Sequence, residues 1–440
     1  MFGYYLTLAL RSLRCNLVLT ALVIGAIAVG ISGSMTMLTI LRAASGDPIP
    51  KKSGQLFTPQ IDVYGPTAAR LSRKNLPSNL SYTDATALMR AHAAPRQAAM
   101  YETEVVVTPP DLKQYPFEVA ARATYSDFFA MFDVPFEYGG PWGTPEDDAH
   151  AAVVVISRAL NDRVFNGGES VGKTLTVGDK PYRVIGVLDH WDPIPRFYDL
   201  SVTGSSPGVG NPEEVLLPFT EAIDQQMPIT ESLGCSKAPG PGWAGMLHSD
   251  CVWIQFWAEL PTATAARGYR DFLRNYASTQ QRDGRFSWLP RIALRSVPQW
   301  LTYNHVVPDS VGILVMVSFG FLLVCLMNAT GLMLAKFLAR AANLSVRRAL
   351  GARRGAIFAQ CLVESALVGA AGGLVGLGLT RLGLKIGAVL LFGGLSRSIR
   401  LDGADLLLAV ALAVVAALVA GLYPAWRAAR VEPAWQLKAS

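Results

Sequence analysis

Four stretches of the chain are almost free of charge: 27 residues between Arg14 and Arg42, 26 between Asp309 and Lys336, 26 between Arg354 and Arg381 (interrupted only by Glu364), and 21 between Asp405 and Arg427. A hydrocarbon layer about 30 Å thick takes roughly 20 helical residues at about 1.5 Å each, so every stretch is long enough to cross a bilayer. The pattern predicts transmembrane helices over 15–42, 310–335, 355–380 and 406–426. The first run is longer than the apolar part of a cleaved signal peptide, usually about 7–15 residues, and is expected to be retained. Residues 43–309 then form a 267-residue insertion between helices one and two. Their texture is mixed. Glu104–Val107, Ala152–Ile156 and Tyr182–Leu188 predict strands, and Tyr82–Ala91 and Ser157–Phe165 predict helices with Ser or Thr near the start. Ser201–Gly210 and Ala238–Gly242 read as loops. The expected fold class is an α-helical membrane protein with four transmembrane helices and a large mixed α/β extracytoplasmic domain inserted between helices 1 and 2.

Charge orients this topology. Only 16% of residues are charged against 51% apolar, well below the roughly 25% charge of an ordinary globular protein. The net charge of +6 does not point to nucleic acid, because Lys336–Arg354 alone holds six positive charges and no acid. A basic loop between two apolar spans marks the cytoplasmic side. Residues 336–354 are therefore expected to form a cytoplasmic loop, with 43–309 and a short loop 381–405 outside. The outer loop has Arg381, Lys385, Arg397 and Arg400 against Asp402 and Asp405, a weaker excess. Both termini fall inside, 1–14 as a helix lying on the inner leaflet and 427–440 as a tail.

Few residues suggest chemistry. Cys15, Cys325 and Cys361 fall in or at membrane spans and read as small apolar side chains. Cys235 and Cys251 flank a Pro/Gly-rich stretch in the outer domain, where a disulfide is expected, two free thiols being the alternative. The five histidines show no metal-ligand spacing near them, so no metal site is expected. Gly167 to Thr174 (GGESVGKT) fits the phosphate-loop pattern formally. That chemistry needs a strand entering and a helix leaving, and here the order is reversed, so the segment is expected to be a turn. No catalytic residue is expected. Glu364, about 15 Å into the third span, has no second ionisable group expected near it and is assigned to helix packing. Gly369, Gly372, Gly373 and Gly376 form small-xxx-small pairs that allow helices to approach closely. Asn328 and Thr330 are candidates for bonds across a helix seam.

Three segments resemble the FtsX-like permease family, to which the membrane part of MacB-type exporters belongs. Val346-Arg-Arg-Ala-Leu-Gly-Ala-Arg-Arg354, running into Gln360-Cys-Leu-Val-Glu364 and the glycines to Gly376, is similar to the family's coupling loop and third helix. Tyr423-Pro-Ala-Trp-Arg-Ala-Ala-Arg-Val-Glu-Pro433 resembles its C-terminal signature, and Ser126–Phe129, Gly139–Trp142 and Ser157–Leu188 resemble the MacB periplasmic core domain. The resemblance implies the transmembrane subunit of an ABC transporter in a bacterial inner membrane. Arg347, Arg348, Ala349, Leu350, Gly351, Ala352, Arg353 and Arg354 would couple it to a separate ABC ATPase. ATP and Mg²⁺ would be held by that partner, with no cofactor in this chain. It implies pairing with a second permease subunit, and Asn343, where many relatives carry an acid, favours a heterodimer. A periplasmic adaptor and an outer-membrane channel are further implied partners. The implied work is mechanotransmission, ATP-driven movement of the outer domain that expels a peptide, antibiotic or other amphiphile. Lipoprotein extraction or control of a cell-wall hydrolase is the alternative.

Overall fold

The computed structural model describes residues 16–65, 76–111, 113–193, 195–200, 212–230, 233–306, 309–390 and 403–430. The expected inner-leaflet helix 1–14, Cys15, the loop Ser201–Gly210, most of the loop after helix three (391–402) and the tail from 431 lie outside the described residues. The chain divides into two compact units, Gly46–Val306 and the flanking segments up to Ser45 and from Val307.

The inserted unit is built on one mixed sheet. In chain order its elements are β1 (Leu56–Ile61), β2 (Leu80–Ser81), α2 (Tyr82–Ala91), β3 (Arg96–Thr108), β4 (Phe117–Thr124), α3 (Asp127–Met131), β5 (Phe136–Gly139), α4 (Thr144–Asp148), β6 (Val153–Ile156), α5 (Arg158–Phe165), β7 (Thr174–Val177), β8 (Lys180–Leu188), β9 (Val215–Pro218), α6 (Phe219–Asp224), α7 (Gly242–Leu247), β10 (Val252–Glu259), α8 (Ala263–Arg282), β11 (Ile292–Ser296) and α9 (Val297–Tyr303); α1 (Leu17–Ser45) precedes them. The strand order is β11-β1-β10-β3-β4-β9-β6-β8-β5, with β2 pairing β10 and β7 pairing both β3 and β8. The pairs β4–β9 and β6–β8 are parallel; the other ladders are antiparallel.

Side-chain alternation divides two cores between the sheet faces. Ala121 and Ala123 of β4 and Tyr101 of β3 belong to one, with Trp253 and the α8 residues Ala266, Tyr269 and Leu273. Ala98, Met100 and Trp257 belong to the other, with Phe128 and Phe132 of α3 and its border and Trp300 of α9. The interior strand β10 is buried along its whole length, as a strand covered on both faces must be. Helix starts follow capping chemistry: the hydroxyls of Ser81, Ser157 and Thr262 accept from the backbone N–H of Asp84, Leu160 and Ala265. The formal phosphate-loop segment is indeed a turn, from α5 into β7, with Gly167 and Gly172 at φ 74° and 84°.

The second unit consists of α1, α10 (Asp309–Leu338), α11 (Ala341–Ala349), α12 (Arg354–Leu390) and α13 (Gly403–Ala429). Four of these contain stretches long and apolar enough to cross a membrane: Leu17–Arg42, Gly312–Leu338, Arg354–Lys385 and Leu406–Ala429. Two differences from the sequence reading are plain. The loop expected over 336–354 holds a helix, α11, because Ala341–Ala349 lacks Gly and Pro. Lys336, read as the end of the second span, lies inside α10.

Helix α12 packs against both α13 and α1, and its glycines serve these two faces. A methyl group at Gly369 would lie 2.6 Å from Ala417 Cβ, and one at Gly373 would lie 2.9 Å from Ala413 Cβ, both on α13. A methyl at Gly372 would lie 2.9 Å from Ile27 Cγ2, and one at Gly376 3.1 Å from the Ala28 carbonyl oxygen, both on α1. The four-residue spacing keeps each pair on one face, so the two pairs dock two different neighbours. Asn328 is exposed and Thr330 donates to Leu326 O of its own helix at 2.8 Å, so neither supplies the expected bond across a seam. Replacing Gly373 with Val should separate α12 from α13 and lower the unfolding midpoint of the detergent-solubilised chain by the equivalent of about 1–3 kcal/mol. The same change at Gly378, which has open space around it, should cost far less.

Candidate functional site

The basic segment sits at the turn between α11 and α12. Arg347 and Arg348 occupy the last turn of α11, where cations complement the helix dipole, and Ala349 ends that helix. Leu350 and Gly351 follow, and the left-handed conformation at Gly351 (φ 99°) is one that favours glycine. Ala352 and Arg353 then lead into Arg354, the first residue of α12. The turn is anchored on one side: Arg347 donates from Nη1 to Gln360 Oε1 at 2.8 Å, tying α11 to the second turn of α12. On the other side Val346 and Leu350, one helical turn apart, are 57% and 83% exposed, and Arg353 and Arg354 are exposed beside them. The turn therefore presents two aliphatic side chains framed by guanidinium groups on a short, anchored helix. The side chain of Asn343 lies outside the described residues.

Directly behind this turn the structure corrects one expectation. Glu364 does have a second ionisable partner in the membrane unit. Its carboxylate lies 2.7 Å from Lys336 Nζ and 3.6 Å from Arg340 Nη1, with the Lys336 and Glu364 side chains 2% and 5% exposed. The two side chains meet in an ion-pair contact and not as a hydrogen bond. The sequence reading missed the pair because it used Lys336 as a boundary, whereas α10 continues to Leu338 and carries the ammonium inward. A small cavity lined by Val23, Met333, Phe337, Ser365 and Val368 adjoins the pair, so α1, α10 and α12 all converge there. A buried charge costs several kcal/mol unless it is paired, so the ion pair fixes the register of α10 against α12.

The inserted domain has its own buried charge cluster. Register places Glu102 of β3 directly opposite Arg122 of β4. Arg122, fully buried, reaches Asp199 Oδ2 at 2.6 Å and Glu213 Oε1 at 2.6 Å, with Glu102 farther away at 3.7 Å. Arg196 lies 3.7 Å from Glu213, and Tyr198 donates its hydroxyl to Glu213 at 3.2 Å. Burial pushes Glu213 up, but Arg196 and Arg122 outweigh it and hold the carboxyl below its ordinary value. For Glu102 burial prevails over the more distant Arg122 and raises its pKa to about 7. None of these five charged residues stands out in the sequence, since nothing local distinguishes each from the solvated charges of an ordinary domain surface.

Elsewhere Cys235 and Cys251 are joined in a disulfide, closing a loop of sequence separation 16. Cys325 and Cys361 are buried free thiols. Among the described residues no group of His, Cys, Asp and Glu has the geometry of a metal site.

Comparison with known proteins places this architecture. Residues 20–243 match the model of the MacB-like periplasmic core domain, just over half of the chain, and residues 315–433 match the FtsX-like permease C-terminal model. The chain belongs to the MacB-type, FtsX-like permease family. Similar relatives of this permease include the macrolide export ATP-binding/permease protein MacB of Rhodospirillum rubrum, 24% identical over 100% of this chain and 60% of the relative. The MacB of Escherichia coli O6:K15:H31 is 25% identical over 98% and 60%, and the pyoverdine export ATP-binding/permease protein PvdT of Pseudomonas aeruginosa 25% over 70% and 41%. The permease chain thus spans about 60% or less of the length of these relatives. Among solved structures, the periplasmic region of MacB from Actinobacillus actinomycetemcomitans aligns with a TM-score of 0.36 at 12% identity, over 57% of this chain and 92% of that one.

Two outcomes are expected at these charges. Lys336→Met or Glu364→Met alone leaves one charged partner buried and should cost about 3–5 kcal/mol of stability, whereas the two together should recover most of it. Additive losses in a double-mutant cycle on the solubilised permease would refute the pairing. Because the Glu102 pKa is raised by folding, its contribution is fully present below its ordinary value of 4.5 and is lost as pH rises through about 7. Thermal melts of wild type and Glu102→Gln between those pH values should show the decline in wild type and a flatter profile in the variant.

Proposed function

We propose that this permease is the transmembrane subunit of an ABC exporter in which a separate ATPase, holding ATP and Mg²⁺, drives movement of the inserted domain. The observation that carries the reading is the α11 turn. Exposed Val346 and Leu350, framed by Arg353 and Arg354, offer an aliphatic contact with a basic rim, the composition of a docking surface for an acidic-edged groove. The anchoring of that turn to α12 through Arg347–Gln360, and the Lys336–Glu364 pair behind it, supply a stiff route from the turn into α10 and α12. A push on α11 would move those helices rather than be absorbed locally.

In this reading the α11 side faces the cytoplasm, in line with the six positive charges and no acid between Lys336 and Arg354, and both termini lie there. The inserted domain stands on the opposite, periplasmic face of a bacterial inner membrane. The names of the relatives, which export macrolides or pyoverdine, favour expulsion of an amphiphile of that general kind, a peptide or antibiotic included. A second permease subunit completes the assembly, a heterodimer being favoured by Asn343, with an adaptor and an outer-membrane channel beyond it. Arg347 is already engaged inside the permease, so the test uses the exposed residues. Leu350→Asp and Arg353→Glu/Arg354→Glu should abolish stimulation of the partner ATPase in reconstituted vesicles while leaving the melting temperature unchanged. Stimulation at the wild-type level in both variants would refute docking at this turn.

A further inference from the structure

We propose that the C-terminal end of α13 is a binding site for the headgroup of an anionic phospholipid. One face of this helix is graded along its length. Val415, Val419 and Leu422 are 57%, 60% and 47% exposed and form an aliphatic stripe at three- and four-residue spacing. The stripe continues into Tyr423 and Trp426, 50% and 46% exposed, whose rings stack with centroids 6.4 Å apart. It ends in two guanidinium groups. Arg430 lies 4.0 Å over the Trp426 ring, and Arg427 donates from Nη1 to the Tyr423 hydroxyl at 3.2 Å.

The other flank of the same turns is packed: Pro424, Ala425, Ala428 and Ala429 are buried. Helix packing thus accounts for the alanines and leaves the aromatic and basic face unexplained. Among the described residues neither Arg427 nor Arg430 has a carboxylate partner, and each guanidinium has five donors, of which one here meets the Tyr423 oxygen. Among those residues no acid offsets their positive charge: Arg430 is held by the face of the Trp426 ring and Arg427 by the Tyr423 hydroxyl.

Depth decides what meets this face. The apolar span Leu406–Ala429 has 24 residues, about 36 Å of helix against a hydrocarbon layer of about 30 Å. Its last turn therefore emerges from the acyl region, where aromatic rings favour the interface and arginines meet phosphates. Aliphatic stripe, aromatic pair and guanidinium pair follow the order of acyl chain, glycerol region and phosphate in one lipid molecule. Two positive charges, with no carboxylate beside them among the described residues, select an anionic headgroup over a zwitterionic one. This inference needs only that α13 spans a bilayer; it does not depend on the ATPase partner.

The test reconstitutes the full chain in nanodiscs of phosphatidylcholine containing spin-labelled phosphatidylglycerol or spin-labelled phosphatidylcholine, and compares motionally restricted lipid. Wild type should favour phosphatidylglycerol, with the preference falling roughly fivefold for each arginine replaced in Arg427→Gln and Arg430→Gln and persisting in the double Lys variant. Salt should weaken the wild-type preference, a measurement that needs no variant. An equal preference in wild type and Arg427→Gln/Arg430→Gln, or no salt effect, would overturn the proposal. Displacement of the lipid by inorganic phosphate alone would reassign the site to free phosphate. A double variant that keeps its lipid preference but loses ATPase stimulation would make the face a protein contact instead.

Discussion

The membrane unit depends on how closely α12 can approach its neighbours. Lipid tails are as apolar as leucine, so burial of apolar surface gives membrane helices little reason to associate, and close contact must supply the attraction. Four glycines on α12 make that contact available on two faces, toward Ala413 and Ala417 of α13 and toward Ile27 and Ala28 of α1. The partner surface on α13 is itself built from alanines at four-residue spacing, Ala409, Ala413 and Ala417, all fully buried. Small residues meet small residues, and the helix between them is held from both sides.

On that packing rests the placement of charge. Lys336 and Glu364 can be buried only because α10 and α12 hold them together, with the half-buried Arg340, which precedes α11, 3.6 Å from the same carboxylate. The inserted domain solves a similar problem with Arg122, whose two short contacts to Asp199 and Glu213 leave Glu102 as the more distant third carboxylate. In both places a network of ions, and not a single bond, sets which segments must stay in register. Such networks fix one arrangement more than they add stability, since hydrophobic residues of the same volume often do as well.

Much of this was legible residue by residue. The four spans followed from length and charge alone, the α5–β7 turn from the reversed order of helix and strand around Gly172, and the glycine pairs on α12 from their spacing. A signal was also present for α8, where Thr262 caps a helix whose buried residues Ala266, Tyr269, Leu273 and Ala277 recur at helical spacing; the sequence reading passed over it. Other features carried no local signal. Strands β1 and β3 lie far from β10 and β11 in the chain, and their adjacency in the order β11-β1-β10-β3 depends on long-range pairing that no window of sequence records.

What the sequence determined by itself was the number of spans, the insertion between the first two, the basic turn and the small residues at the α12 seams. These follow from properties that travel with each residue: apolar area, charge and size. The tertiary structure alone decided that Lys336 turns inward to Glu364, that Arg122 gathers acids from three separate segments, and that Val415 to Arg430 form one exposed graded face while the alanines beside them pack. Each of these depends on which residues distant in sequence are brought within a few ångströms, and distance in space is a property of the fold and not of any residue in it.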